Sequence, residues 1–292
     1  MTHRKIRGTI SIMLALTGLP AFGQQTQPAT AQTQPAAPSP TANAAFDPSK
    51  SDEKAIAIAD KVIEAMGGQS WAKTRFLKFS FVLKRGEARP VQRTHYWDKA
   101  AQRSRMEGPS RDGKPVVAVV DHATKQGQAT LDGQLLFDTD LKKYTDIAYG
   151  TLINDSYWLF MQFKLKDPGT RLRYEGELKA GPVTYDKILL SFDDGIGLTS
   201  KDKYWLYVNR ATNTIERWSY VLTNDPPGTT PVAWEWTDWQ DISGMKLATK
   251  KAQSGGDVEI LLENVQTFDT LPETVFTSTA AVELSAAPAG GK

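Results

Sequence analysis

The chain has 292 residues, 40% of them hydrophobic and 23% charged, with 35 Lys+Arg against 33 Asp+Glu and no cysteine. A balance this even, without a basic block, leaves no electrostatic footprint for nucleic acid or for an anionic membrane surface. The lack of cysteine excludes a disulfide framework, thiolate metal sites and an acylated-cysteine anchor.

At the start, Arg4, Lys5 and Arg7 precede the apolar run "ISIMLALTGLP", and Ala21-Phe22-Gly23 offers a small-x-small cleavage site. This order reads as a secretory signal peptide over residues 1–23, cleaved after Gly23; its apolar run is shorter than the roughly 20 residues that span a bilayer. Removing it leaves 32 basic against 33 acidic residues. The mature protein is expected to be periplasmic or secreted, with no membrane span. Residues 24–50, rich in Gln, Thr, Pro and Ala, have almost nothing to bury and read as a disordered linker. A single domain is expected over 51–280 and a disordered tail over 281–292.

The domain opens with a helix over 51–66. Ala55, Ile56, Ala59, Val62, Ile63 and Met66 recur at three- and four-residue spacing, Ser49 or Ser51 can cap its start, and Gly67 can end it in the left-handed conformation. Period two then takes over. Leu77, Phe79, Phe81 and Leu83 share one side of "RFLKFSFVLKRG", and "VQRTHYWD", "QRSRMEG" and "PVVAVVD" follow. "QATLDGQLLFD" is a hairpin turning on Asp132-Gly133. Seven further runs, from "RLRYEGEL" to "DVEILLENVQTF", give roughly a dozen strands joined by local turns. The fold class is therefore mainly β (α+β), a long antiparallel meander that must curl. The basic residues of "LKRGEARPVQR" read as a solvated edge.

Between these strands lies "NDSYWLFMQFKLKDPG", with seven large apolar residues between Tyr157 and Leu165. A ten-residue helix capped by Asn154 or Asp155 fits before Pro168, and being apolar nearly all round it must be buried. It is expected to plug the mouth of the curled sheet. Strands greasy on both sides need cover on both: in "KYWLYV", Tyr204, Leu206 and Val208 oppose Trp205 and Tyr207, while Trp234 and Trp236 share a face that Trp239 does not. Phe79, Phe81, Trp97, Trp158, Phe160, Trp205, Trp234 and Trp236 are the candidate wall and lid residues for a hydrophobic ligand.

The same sequence offers few residues for catalysis or metal binding. His95 and His122 are the histidines of the mature chain, without zinc-ligand spacing. Asp121 and His122 are neighbours on a strand and so point to opposite faces; His122 reads as a surface turn residue and His95 as a strand histidine. "FDTDLKKYTD" lacks the glycine and glutamate of a calcium loop, and "SFDDGIG" (Asp193, Asp194) reads as a hairpin turn. No nucleophile elbow, phosphate loop or dinucleotide fingerprint occurs. Binding without catalysis, cofactor or metal is expected.

A signal peptide, a short helix ending in Gly-Gly, Trp71 and then a long antiparallel meander resembles the periplasmic lipoprotein carriers LolA and LolB and the wider class of outer-membrane lipoprotein-sorting proteins. "INDSYWLFMQFKLKDPGTRLRYEGE" and "GIGLTSKDKYWLYVNRATNTIERWSY" resemble more specifically an uncharacterised bacterial family of that superfamily. The resemblance spans roughly residues 52–270 and implies an unclosed barrel around an apolar cavity lidded by helices, holding acyl chains. The chain departs from LolB in having no cysteine. The expected function is an exported binding or carrier protein for a lipid, acyl chain or lipoprotein, with an envelope protein as a possible partner; the alternative is a ligand-free scaffold or interaction protein with a packed core.

Overall fold

The computed structural model describes residues 45–282 and residue 284. The expected signal peptide, most of the expected linker and the end of the expected tail lie outside them. All thirteen strands form one antiparallel sheet: β1 (Phe76–Arg85), β2 (Ala88–Asp98), β3 (Arg103–Pro109), β4 (Pro115–Asp121), β5 (Gly127–Leu131), β6 (Gln134–Leu135), β7 (Thr170–Ala180), β8 (Val183–Phe192), β9 (Lys203–Asn209), β10 (Ile215–Val221), β11 (Val232–Ile242), β12 (Met245–Gln253) and β13 (Val258–Phe268). Among the described residues, four α-helices accompany them: α1 (Glu53–Ala65), α2 (Gly68–Lys73), α3 (Asp138–Phe160) and α4 (Thr274–Thr277).

The sheet is two meanders rather than one. Its order runs β6-β5-β4-β3-β2-β1-β13-β12-β11-β10-β9-β8-β7, so the first and last strands pair at the centre and β6 and β7 are the two edges. Phe81 faces Leu262 and Leu83 faces Ile260 across that central seam. The chain must therefore cross from one edge to the other between β6 and β7, and α3 makes the crossing. A helix of 23 residues is about 35 Å long. Thirteen strands laid flat would span roughly 58 Å at ~4.8 Å per step. A sheet served by so short a crossing wraps round it, and α3 occupies the inside of the curve.

The start and length of α3 correct the sequence reading. The helix begins sixteen residues before Asn154, at Asp138, and ends in a 3-10 turn at Met161–Phe163. Asn154 and Asp155 lie within it, so neither caps it. Its first half is polar enough, in "DTDLKKYTD", to hide its helical character. "QATLDGQLLFD" turns as expected, with φ of 54° at Asp132 and 76° at Gly133.

α1 buries Ala55, Ile58, Ala59 and Val62. Gly67 ends it at φ 92°, and a Cβ there would lie 2.0 Å from the Gly244 carbonyl oxygen. Only glycine permits this approach, which brings Lys246 N–H to the Met66 carbonyl at 3.0 Å and ties α1 to the β11–β12 hairpin. Asp52, not a serine, is the helix N-cap residue. Ser51 instead accepts the Leu172 N–H, Asp52 N–H donates to Leu172 O, and the Asp52 carboxylate accepts the Tyr174 N–H, each at 2.9 Å. These bonds occupy the β7 edge, which would otherwise present unpaired amides.

On the outer face, the chain after β13 folds back across the other meander. Val275 and Phe276 of α4 pack with Phe76 and Tyr96, joined by Leu271, Val282 and Leu284. Arg105, fully buried, donates to the carbonyls of Ser278 (2.6 Å) and Ala280 (2.7 Å). Of the residues expected to form the tail, Val282 and Leu284 belong to this packing. "LKRGEARPVQR" forms the β1–β2 hairpin, whose strands stand mid-sheet, so it is not an edge. "SFDDGIG" opens a longer connection over 193–202, where the Asp193 carboxylate pairs with Lys50 and Arg171.

Candidate functional site: the concave wall beneath α3

Strand register decides which side chains face α3. Trp218 stands opposite Leu206 and Trp234, and the indole of Trp158 on α3 lies edge-on to Trp218 (4.7 Å) and Trp234 (4.9 Å). Trp236 continues that face, 5.8 Å from Trp218. At the centre of the sheet, Phe160 meets Phe79 at 5.7 Å and Trp97 at 6.5 Å. Trp71 of α2 stacks on Phe163 at 5.2 Å and lies 4.9 Å from Phe160. Trp158, Phe160, Phe79 and Trp234 are buried. Burying each of the large side chains from Trp158 to Leu165 contributes roughly 1.5–3 kcal/mol.

The structure brings seven of the eight candidates to the inner face and corrects the eighth. Trp205 pairs with Ser219, one position out of phase with the Leu206–Trp218 pair, so it faces outward. Lys187 lies 5.7 Å over its ring, and Arg217 lies 5.2 Å over Tyr207 beside it. Tyr204 and Leu206 hold the inner positions of that strand, and a one-residue phase choice moves the whole set. Trp239 pairs with Ala248 and Trp236 with Lys251, yet their rings lie 6.5 Å apart across the positive-φ residue Asp238 (53°), so the clean opposition expected of the two indoles is not kept. Trp71, Trp218 and Lys251 are inner-face residues that the sequence reading did not nominate; the alternation Trp218-Ser219-Tyr220 was a usable signal for Trp218.

A polar cluster fastens α3 to the wall. Asp155, fully buried, accepts two bonds from Arg93 (2.5 and 2.9 Å) and one from His95 Nε2 (2.7 Å), and the Asn154 amide donates to it at 2.8 Å. Arg93 also covers the ring of Phe81 at 5.0 Å. Burial pushes the Asp155 carboxyl up, but Arg93 and His95 outweigh it and hold the pKa at about 2. Burial depresses the His95 pKa despite its carboxylate neighbour, so a neutral imidazole donates to an ionised Asp155. His122 is buried rather than a surface residue: Nε2 lies 2.9 Å from Ser104 Oγ, and burial followed by the Lys125 charge brings its pKa down to about 4. Asp121 instead ties the turn at Ala123 and Thr124.

Much of the remaining polarity is unmatched. The indole nitrogens of Trp97, Trp218, Trp234 and Trp236, the His95 Nδ1 atom and the side-chain oxygens of Asn154 and Gln162 are buried without a protein hydrogen-bond partner. Two depressions of about 410 and 450 Å³ lie elsewhere, one at the α1–β11 corner beside Trp239 and one on the outer face beside Trp205. Among the described residues, no cluster of three or more His, Asp or Glu could hold a metal ion, and no helix is long and apolar enough to cross a membrane.

This chain is similar to LolA superfamily proteins. A LolA superfamily protein from Nitrosomonas europaea shares 13% identity over 77% of this chain and 97% of its own, with a TM-score of 0.48. A DUF1329 family protein from Desulfovibrio piger shares 12% identity over 77% and 98% of the two chains, TM-score 0.43. An outer membrane lipoprotein-sorting protein domain from Vibrio parahaemolyticus shares 10% identity over 75% and 97%, TM-score 0.38. No family model matches, and no curated protein sequence does.

Proposed function

We propose that this domain binds a hydrophobic molecule, such as a lipid, an acyl chain or an acylated protein, on its concave wall, and that the C-terminal half of α3 is a displaceable occupant of that site. Its role is binding without catalysis. With residues 1–23 as a signal peptide, it acts in the periplasm or outside the cell, handing its ligand to or from an envelope protein.

The observation that carries this reading is the mismatch at the α3–wall interface. A permanent core satisfies its buried polar groups, because each unpaired one costs about 1–3 kcal/mol. Here several indole N–H groups and two amide oxygens stay unpaired at or beside the interface that the helix covers. Helix and wall are joined by aromatic contacts and one charged cluster, an arrangement that can separate without breaking a strand ladder. The alternative, a scaffold with a permanently filled core, is favoured by the placement of both depressions away from the wall.

A reversible lock separates the two. Thr151 of α3 touches Met106 of β3, Oγ to Sδ at 3.4 Å, and the native chain has no cysteine to interfere. In a Thr151→Cys/Met106→Cys variant, saturable binding of N-phenylnaphthylamine is expected under reducing conditions and its loss on oxidation. Equal binding in both states, or none in either, refutes displacement of α3.

A further inference from the structure

Beyond the helix cluster, the inner wall holds one charge-bearing side chain with no counter-charge. Lys251 of β12 pairs across the sheet with Trp236 on one side and Ile260 on the other, both buried inner-face residues, and is itself fully buried. Its amine makes one hydrogen bond, to the Ala248 carbonyl at 3.0 Å, and lies 3.4 Å over the Trp236 ring. No carboxylate among the described residues pairs with it. The acid on the facing strand, Glu259, is ion-paired with Lys250 and Lys84 on the other side of the sheet. Burial drives the amine well below the ordinary lysine range. An isolated buried ammonium is costly, so the group rests as a neutral amine.

Its surroundings are rich in donors and poor in acceptors. The Trp236 and Trp218 indole nitrogens are buried without acceptors, and their rings lie 5.8 Å apart. One further ring contact, 4.7 Å, leads to Trp158. What the cluster lacks is an acceptor that brings a negative charge, with an apolar body that follows the tryptophans. Resting on the binding function proposed above, we propose that Lys251 is the headgroup site of the wall and takes the carboxylate of a single-chain fatty acid. On entry the acid's O–H bond breaks, its proton moves to the amine nitrogen, and an ammonium–carboxylate pair remains; no other bond changes. One enclosed amine matches one negative charge. A phosphate dianion would keep a surplus charge in an apolar site.

The test compares hexadecanoic acid, hexadecanol and hexadecyl phosphate, each displacing N-phenylnaphthylamine from the full-length protein. The acid is expected to bind roughly tenfold or more tighter than the alcohol, as a charge-assisted bond implies. Lys251→Met, of similar length and apolar, is expected to abolish that preference while still binding the alcohol. The acid–alcohol comparison on the unmutated protein needs no variant to fold. If both bind equally, or the phosphate binds best, or Lys251→Met keeps the preference, the headgroup assignment falls and the binding function stands. If neither acid nor alcohol binds, both fall.

Discussion

Replacing Asp155 with alanine removes the one acid that fastens α3 to the wall. The carboxylate holds three bonds from β2, and its loss leaves Arg93, with 21% of its side chain exposed, and His95, fully buried, without a partner. Breaking a buried pair from one side typically costs about 3–5 kcal/mol, and Arg93 can turn toward water, which places this case near 3 kcal/mol. That cost falls on the closed form and spares a form with α3 lifted. At about 1.4 kcal/mol per decade, the lifted population rises roughly 100-fold. Native-state hydrogen exchange should show the amides of 145–160 exchanging about 100-fold faster, through an opening that denaturant promotes less steeply than global unfolding, because only the helix–wall surface is exposed. N-phenylnaphthylamine affinity should rise with it. Exchange of α3 and β13 through one opening with full denaturant dependence, together with unchanged probe affinity, would refute the displaceable helix.

Two further outcomes follow from other parts of the molecule. The His122 pKa falls from 6.5 to about 4 on folding, so between those values the unfolded chain binds more protons and stability drops as the pH falls from 6.5 to 4, by at most about 3 kcal/mol. Urea midpoints at pH 7 and 4.5 should therefore lie closer together in His122→Gln than in the unmodified protein, and an identical gap would show that the imidazole is not held neutral. At Gly67, with φ 92° and the Gly244 oxygen 2.0 Å from a would-be Cβ, alanine should cost more than about 2 kcal/mol by chemical denaturation. A change under about 0.5 kcal/mol would mean that the α1–hairpin contact is not rigid.

Strand identity was legible because it is local. Every expected strand run, from "RFLKFSFVLKRG" to "DVEILLENVQTF", coincides with an observed strand, since period-two alternation and turn residues such as Asp132-Gly133 act within a few residues. The α1 stripe and its glycine stop were legible for the same reason. The position of the aromatic helix inside the curl also followed from its sequence, because a segment apolar nearly all round has no stable place in water.

What the sequence could not carry is which strands meet and which side each presents. The β1–β13 seam joins residues 173 to 192 positions apart, and no local signal encodes that pairing. Once it forms, the crossing from β6 to β7 has to run through the inside of the curve, so α3 extends far upstream of its apolar end. The same register turns Trp205 outward, Trp218 inward and Lys251, the last residue of "MKLATKK", into the interior. Composition and periodicity determined the elements and their greasy faces. Only the three-dimensional pairing, through long-range hydrogen bonds that fix phase to the residue, decided that the chain fills its own hollow and left a lone amine inside it.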